Sequence, residues 1–244
     1  MKTLGIIGQG KFGQFIASEM EGVFRIETYD VSDSEAQFHR VSECDYVALA
    51  IPLEAYQAVL PKLAAVILPK SVVIDVCSVK LRPLEFTTKY LPNNDILSIH
   101  PLFGPATTPD GIAGQKVIII RDIGSFQLHA DAQKFFEKLR LSVIQLDADN
   151  HDRGMAELHA LTYYVASALS DFGVSERPIS TPSYDKLVSL VNLYSVHSQA
   201  LVDTIEKGNP YAAEMRTKLM QSFQKIDQQY SINPFDDDKT DKAK

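Results

Sequence analysis

The stretch Thr3-Leu4-Gly5-Ile6-Ile7-Gly8-Gln9-Gly10-Lys11-Phe12-Gly13 decides the fold. An apolar run enters a glycine-rich turn, and the turn opens a segment with Phe12, Phe15, Ile16 and Met20 at helical spacings of three and four. A strand, a Gly-x-Gly-x-x-Gly turn and a helix in that order form a dinucleotide-binding unit. Gly8 permits the tight turn, Gly10 lets a pyrophosphate approach the backbone, and Gly13 allows the helix to touch the strand. The start of the helix contributes unpaired N–H groups and the positive end of its dipole.

Working outward, Phe24 to Asp30 reads as a second strand that ends in an acid, seventeen residues beyond Gly13. A carboxylate there accepts hydrogen bonds from an adenosine ribose diol. A 2′-phosphate in the same place meets a like charge, worth about 4 kcal/mol for unit charges about 4 Å apart at intermediate dielectric. The next residues are Val31, Ser32 and Asp33, with no arginine among them, so NAD is favoured over NADP. The run Tyr46 to Ile51 is apolar throughout, as in a parallel strand covered on both faces, and Pro52 stops it. The expected cofactor set is therefore Gly8, Gln9, Gly10, Lys11, Phe12, Gly13, Asp30, Ile51 and Pro52.

The same rhythm continues through a helical stretch over 55–68 and strands over 72–76 and 95–99, with a helix over 84–91 between them. Two more strands, 117–120 and 142–146, flank a helix near 127–139. Strands alternating with helices predict an α/β fold, a Rossmann-type doubly wound and mostly parallel sheet with right-handed crossovers. After Asp147 the β-branched runs give way to helical periodicity. Met155, Leu158, Leu161, Val165, Leu169 and Phe172 form one apolar stripe, and Leu187 to Ile205 forms a second helix beyond a proline-containing loop. Gly208 suits that helix's C-terminal cap, and Asn209-Pro210 the start of a third. The organisation expected is a dinucleotide-binding domain over 1–147, a smaller all-helical substrate and dimerisation domain over 148–235, and a disordered charged tail over 236–244.

A net charge of -7 and the lack of a basic patch with interleaved aromatics argue against nucleic-acid binding. The N-terminal apolar run is too short for a signal-peptide core or a membrane span, so the expected location is the cytoplasm. Cys44 and Cys77 have no metal-ligand spacing and read as reduced, buried thiols on strands, and no metal is expected.

In an open α/β sheet the carboxyl ends of the strands line the ligand crevice. Ser78-Val79-Lys80 follows one strand and His100 follows the next, so a hydroxyl and an imidazole both face the nicotinamide side. Removing hydride from a carbinol carbon is easier when its O–H proton is accepted at the same time, and histidine suits that at neutral pH. A lone His-Pro at a strand end is more often structural, and an isolated serine before a helix more often a cap.

In combination these blocks say more. The glycine turn, Asp75-Val76-Cys77-Ser78-Val79-Lys80 and His100-Pro101-Leu102-Phe103-Gly104-Pro105, in that order and spacing, resemble the prephenate/arogenate dehydrogenase family. Ile179-Ser180-Thr181-Pro182-Ser183-Tyr184 and the helices beyond are similar to the C-terminal part of its arogenate-type members. The resemblance implies NAD(P)-dependent oxidative decarboxylation of a cyclohexadienyl small molecule in tyrosine biosynthesis, by a homodimer joined through its helical domain. It implies His100 as the base on the ring hydroxyl and Ser78 as the partner that orients it, with Lys80 as a substrate contact. Many members carry a histidine in the first long helix where this chain has Tyr163, in the block His159-Ala160-Leu161-Thr162-Tyr163. Prephenate-specific members clamp a substrate carboxylate with an arginine in the last helix. Here the nearest is Arg216, one turn before the corresponding place at Met220 or Gln221, and it is the candidate for that contact. His151-Asp152-Arg153 reads as a solvated helix start. Two other readings stay open: a β-hydroxyacid or imine reductase of similar architecture, and a catalytically weakened NAD-binding regulatory homologue.

Overall fold

The computed structural model describes residues 1–231. Seven strands form one sheet: β1 (Thr3–Ile7), β2 (Arg25–Tyr29), β3 (Tyr46–Leu49), β4 (Val72–Asp75), β5 (Ile96–Pro101), β6 (Lys116–Ile120) and β7 (Ser142–Leu146). Their order is β2-β1-β3-β4-β5-β6-β7, and every pairing is parallel except β5 with β6. The Rossmann-type reading holds. The antiparallel step arises because the glycine-containing segment 102–115 returns the chain without a helix.

Helices α1 (Lys11–Met20), α2 (Glu35–Ser42), α3 (Tyr56–Ala64), α4 (Leu81–Tyr90) and α5 (Phe126–Lys138) cover the sheet. On one face Tyr56, Leu60 and Leu63 pack with Val47, Leu49 and Val73, all buried. On the other, Leu97, Ile99 and Ile119 meet Phe12, Phe15 and Ile16 of α1. Burial on both faces is why these strands are apolar throughout rather than alternating. The short α2 is not among the expected elements. Its signal is Ser34-Glu35-Ala36-Gln37, in which Ser34 Oγ accepts the Gln37 N–H at 3.3 Å.

From Ala148 onward every described element is helical: α6 (Ala148–Met155), a π-helical turn (Ala156–Ala160), α7 (Leu161–Asp171), α8 (Pro182–Ser195), α9 (Gln199–Gly208) and α10 (Ala212–Tyr230). The single apolar stripe of the first long helix fails, because the π turn inserts a residue and rotates α7 by roughly 100° relative to α6. Leu158 is 61% exposed and Phe172 85%, while Met155 and Ala160 point inward. The helix drawn over Leu187 to Ile205 is two helices, since Ser198 caps α9 by accepting the Leu201 N–H. Asn209-Pro210 does not start the last helix. Asn209 is buried, donating from Nδ2 to the Asp152 carbonyl and accepting the Tyr211 N–H. Both cysteines are free and buried but lie just outside the strands, Cys44 before β3 and Cys77 after β4. The charged tail over 236–244 lies outside the described residues.

The helical layer touches the sheet layer at the carboxyl end of the strands. Lys11 Nζ donates to the Val196 carbonyl at 2.7 Å, and the Leu53 N–H meets Thr204 Oγ1 at 3.3 Å. Gly208 packs so tightly there that a Cβ would stand 2.7 Å from Leu53 Cδ2. No helix among the described residues is long and apolar enough to cross a membrane.

Candidate active site

The glycine turn is shaped by contacts that admit no side chain. Gly8 has φ +102°, and a Cβ on it would sit 2.3 Å from the Ala50 carbonyl oxygen. A Cβ on Gly13 would sit 1.9 Å from the Gly8 carbonyl oxygen, so helix and turn are in direct backbone contact. Gly10 differs: nothing lies within 4 Å of the same position. It leaves an open cradle at the start of α1, whose first N–H groups have no side-chain cap. At the end of β2, Asp30 accepts the Gln9 N–H at 2.7 Å and the Val31 N–H at 2.7 Å, which fixes its carboxylate beside the turn. Ile51 and Pro52 follow β3, with Ile51 Cγ2 against Gly8. This donor set fits a dinucleotide.

His100 occupies the carboxyl end of β5, within the strand rather than after it, opposite Ile118 of β6. The ring is almost fully buried. Its Nδ1 lies 2.9 Å from Nε2 of His151, whose own Nδ1 lies 2.8 Å from Asp152 Oδ1. Nε2 of His100 has no hydrogen-bond partner among the described residues. The edge of the ring also meets His159, centroid to centroid 5.4 Å, and His159 in turn meets Tyr163 at 5.7 Å. Tyr163 reaches His197 Nδ1 through its hydroxyl at 3.0 Å. Burial lowers the pKa of His100 well below the ordinary histidine value, and the neighbouring His159, His151 and Lys80 push the same way. Burial likewise lowers His151, opposed by its bond to Asp152, and takes His159 down to about 4. The cluster is therefore neutral at pH 7, and an imidazole of His100 is available to accept a proton.

A second buried network sets the backbone around this ring. Lys80 is completely buried, with Nζ donating to Asp75 Oδ2 at 2.7 Å and to the Ile99 carbonyl at 2.6 Å. Asp75 also accepts from Tyr56 Oη at 2.6 Å, from Ser98 Oγ at 2.7 Å and from the Cys77 N–H at 3.0 Å. The substrate contact assigned to Lys80 is therefore corrected: its ammonium is fully engaged inside the protein and braces β4 against β5. Burial pushes the Cys77 thiol up to about 12, so it is a packing group and not a nucleophile.

The other expected site residues divide. Tyr163 joins the histidine cluster. Ser78 is half-buried in the loop before α4, and its hydroxyl makes no hydrogen bond among the described residues. The Nδ1 of His100 faces His151. Arg216 donates to the Glu206 carbonyl at 3.0 Å and pairs with the Glu206 carboxylate at 2.6 Å, beside the Tyr164 ring. His151 and Asp152 are site residues that the sequence reading misses. They are completely buried, whereas Arg153 points out and pairs with Asp149. The available signal is a His-Asp pair inside a segment that must dock on the sheet. Among the described residues no group of three His, Cys, Asp or Glu side chains is placed to hold a metal ion.

A Gly-x-Gly-x-x-Gly turn feeding a doubly wound sheet, with polar side chains gathered at the strands' carboxyl ends, defines a dinucleotide-binding protein of the Rossmann class. The family model for the nucleotide-binding domain of prephenate dehydrogenase matches residues 18–125. Arogenate dehydrogenase 2, chloroplastic, of Arabidopsis thaliana is 28% identical over 91% of this chain and 68% of its own length. Arogenate dehydrogenase 1, chloroplastic, of the same plant is 26% identical over 91% of this chain, which spans only 38% of that relative. A crystal structure of prephenate dehydrogenase from Aquifex aeolicus, in complex with hydroxyphenyl propionate and NAD+, superposes with a TM-score of 0.70 at 18% identity. That match covers 93% of this chain and 88% of the other. The chain is thus similar to the prephenate dehydrogenase family over much of its sheet layer, and to arogenate dehydrogenases over most of its length.

Proposed function

We propose that the protein catalyses the NAD-dependent oxidative decarboxylation of prephenate or arogenate, with His100 as the base on the ring hydroxyl. One observation carries this reading. A buried, neutral histidine stands near the carboxyl end of β5, on the same edge of the parallel sheet as the dinucleotide turn, with one ring nitrogen committed to the protein and the other without a partner among the described residues. When bound, the nicotinamide supplies the hydride acceptor. The open cradle at Gly10 and the start of α1 hold the pyrophosphate, and Asp30 holds the ribose diol and selects NAD over NADP.

His100 Nε2 accepts the proton of the ring hydroxyl as the C–H bond on the same carbon gives up its hydride. The ring oxygen becomes a carbonyl, and the ring carboxylate leaves as carbon dioxide. The electron pair of that broken bond enters the ring, which becomes aromatic as a phenolate. The proton held on His100 then returns to the phenolate oxygen, so no net proton is consumed. A positioned base of this kind is worth roughly 10²- to 10⁴-fold. Ser78, in the loop after β4 and with no hydrogen-bond partner for its hydroxyl among the described residues, bonds the substrate hydroxyl. Tyr163 extends the cluster from His159 to His197.

The exposed apolar residues Met220, Phe223 and Ile226 of α10 support a homodimer formed through the helical layer. The experiment is to incubate the purified chain, its mass checked by sedimentation, with NAD and either substrate, following reduced nicotinamide and carbon dioxide. Equimolar release of both is expected. NAD binding without turnover of either substrate would sink the proposal.

A further inference from the structure

His100, His151 and Asp152 form one buried line of hydrogen bonds, and the line has a direction. Asp152 is pinned at the start of α4, where its Oδ1 accepts the Lys80 N–H at 2.8 Å and its Oδ2 the Leu81 N–H at 2.9 Å. Helix α4 has no capping side chain of its own, so a residue from α6 provides the cap. A carboxylate can only accept, so His151 donates to it from Nδ1. The neutral His151 ring then has its lone pair on Nε2 and accepts, so His100 donates from Nδ1. That leaves the lone pair of His100 on Nε2, the nitrogen with no partner among the described residues.

We infer that His151 and Asp152 are positioning residues that hold His100 in its Nδ1–H tautomer and so make Nε2 the basic atom. The inference rests on the proposed function only in what Nε2 then does. A proton arriving at Nε2 leaves a positive charge on a buried ring. The bond through His151 couples that charge to the Asp152 carboxylate, in a region of low dielectric. Lys80 ties both ends of the line together. Its backbone N–H holds Asp152, and its ammonium holds the carbonyl of Ile99, the residue before His100. A neutral His151 and a bound Asp152 would also satisfy a purely structural role, so the test must read the tautomer and not only stability.

Two substitutions separate the roles. His151→Leu removes the line but leaves Asp152 on α4, whereas His151→Gln offers an oxygen to His100 and an N–H to Asp152 in the same directions. With histidine ring nitrogens labelled by ¹⁵N, NMR of the NAD-free protein reads the tautomer of His100 directly, assigned by the loss of its signals in His100→Asn. The Nδ1–H form is expected in wild type and in His151→Gln, with a shift towards Nε2–H in His151→Leu. In turnover, His151→Leu should lower kcat on the order of 10²-fold with KM for NAD unchanged within about twofold, and His151→Gln should restore most of it. An Nε2–H tautomer in wild type, or an unchanged tautomer and kcat in a folded His151→Leu, would overturn the inference. A wild-type chain that turns over neither substrate would overturn the proposed function alone, and the tautomer measurement would still decide this one.

Discussion

The ammonium of Lys80 donates to the carbonyl of Ile99 at 2.6 Å, so the residue immediately before His100 is held from the adjacent loop by a fully buried cation. The same ammonium pairs with Asp75 at 2.7 Å. Removing one partner of such a pair strands a buried charge, and the usual cost is about 3–5 kcal/mol. Lys80→Met should therefore lower unfolding stability by about that amount. Lys80→Met with Asp75→Leu should lose less than the two single changes summed. Denaturant titration of the four proteins checks this, and additive losses would mean that the two groups are not coupled.

Gly10 and Gly13 should fail in opposite ways. Gly13→Ala forces a Cβ to 1.9 Å from the Gly8 carbonyl oxygen, so the turn must move and stability falls by at least about 1–3 kcal/mol. Gly10→Ala meets open space and should keep the melting temperature of the parent. Its methyl group occupies the cradle instead, and NAD affinity should fall on the order of tenfold or more. Calorimetric titration beside thermal melts separates the two. A Gly10→Ala protein with full NAD affinity would remove the cradle from the cofactor site.

Asp30 should set the choice of dinucleotide. Its carboxylate is fixed by the Gln9 and Val31 N–H groups and cannot swing away from a 2′-phosphate without losing them. Asp30→Ser removes a like-charge penalty of order 4 kcal/mol at most, so the preference for NAD over NADP should fall by at least about tenfold. Measurement of both dissociation constants tests it. A wild-type chain that prefers NADP, or a ratio unmoved by the substitution, contradicts the assignment.

The histidine cluster should make the protein acid-sensitive. His159 is held near 4 by burial and by His151 and His197, and it faces His100 from the π turn and Tyr163 from α7. A base whose folded pKa lies below its unfolded value of about 6.5 leaves the unfolded chain binding more protons in between. Stability is then complete above about pH 6.5 and is lost as pH falls towards 4, by up to about 3 kcal/mol from this group. His100 and His151, both lowered by burial, act in the same direction. The midpoint of urea unfolding should decline between pH 6.5 and 4 and flatten in His159→Phe. A midpoint independent of pH in that window would show that the cluster is not neutral when folded.

Much of this molecule is legible in its sequence, for physical reasons that differ by region. The strands of the sheet are buried on both faces, so Tyr46–Leu49 and Lys116–Ile120 stand out as apolar runs, and the glycine turn is dictated by local sterics. The helical layer is harder, because its breaks depend on single hydrogen bonds such as that of Ser198 and on a π turn that periodicity does not announce. Helix α4 starts three residues before its expected place because its cap, Asp152, comes from a helix far along the chain. At the site, His100 is legible through its position at a strand end. Its partners His151 and Asp152 are not, since a His-Asp pair at a helix start normally faces water and only the docking of α6 on α4 buries it. Lys80 misleads for the opposite reason, a charged residue beside a site being ordinarily a ligand contact rather than a core brace.

The central claim is that Nε2 of His100 accepts the proton of the substrate hydroxyl, and single-turnover kinetics of His100→Asn test it most directly. With NAD affinity first shown to match wild type, the variant should reduce the nicotinamide at least about 10²-fold more slowly on either substrate. A hydride-transfer rate near that of wild type would contradict the claim.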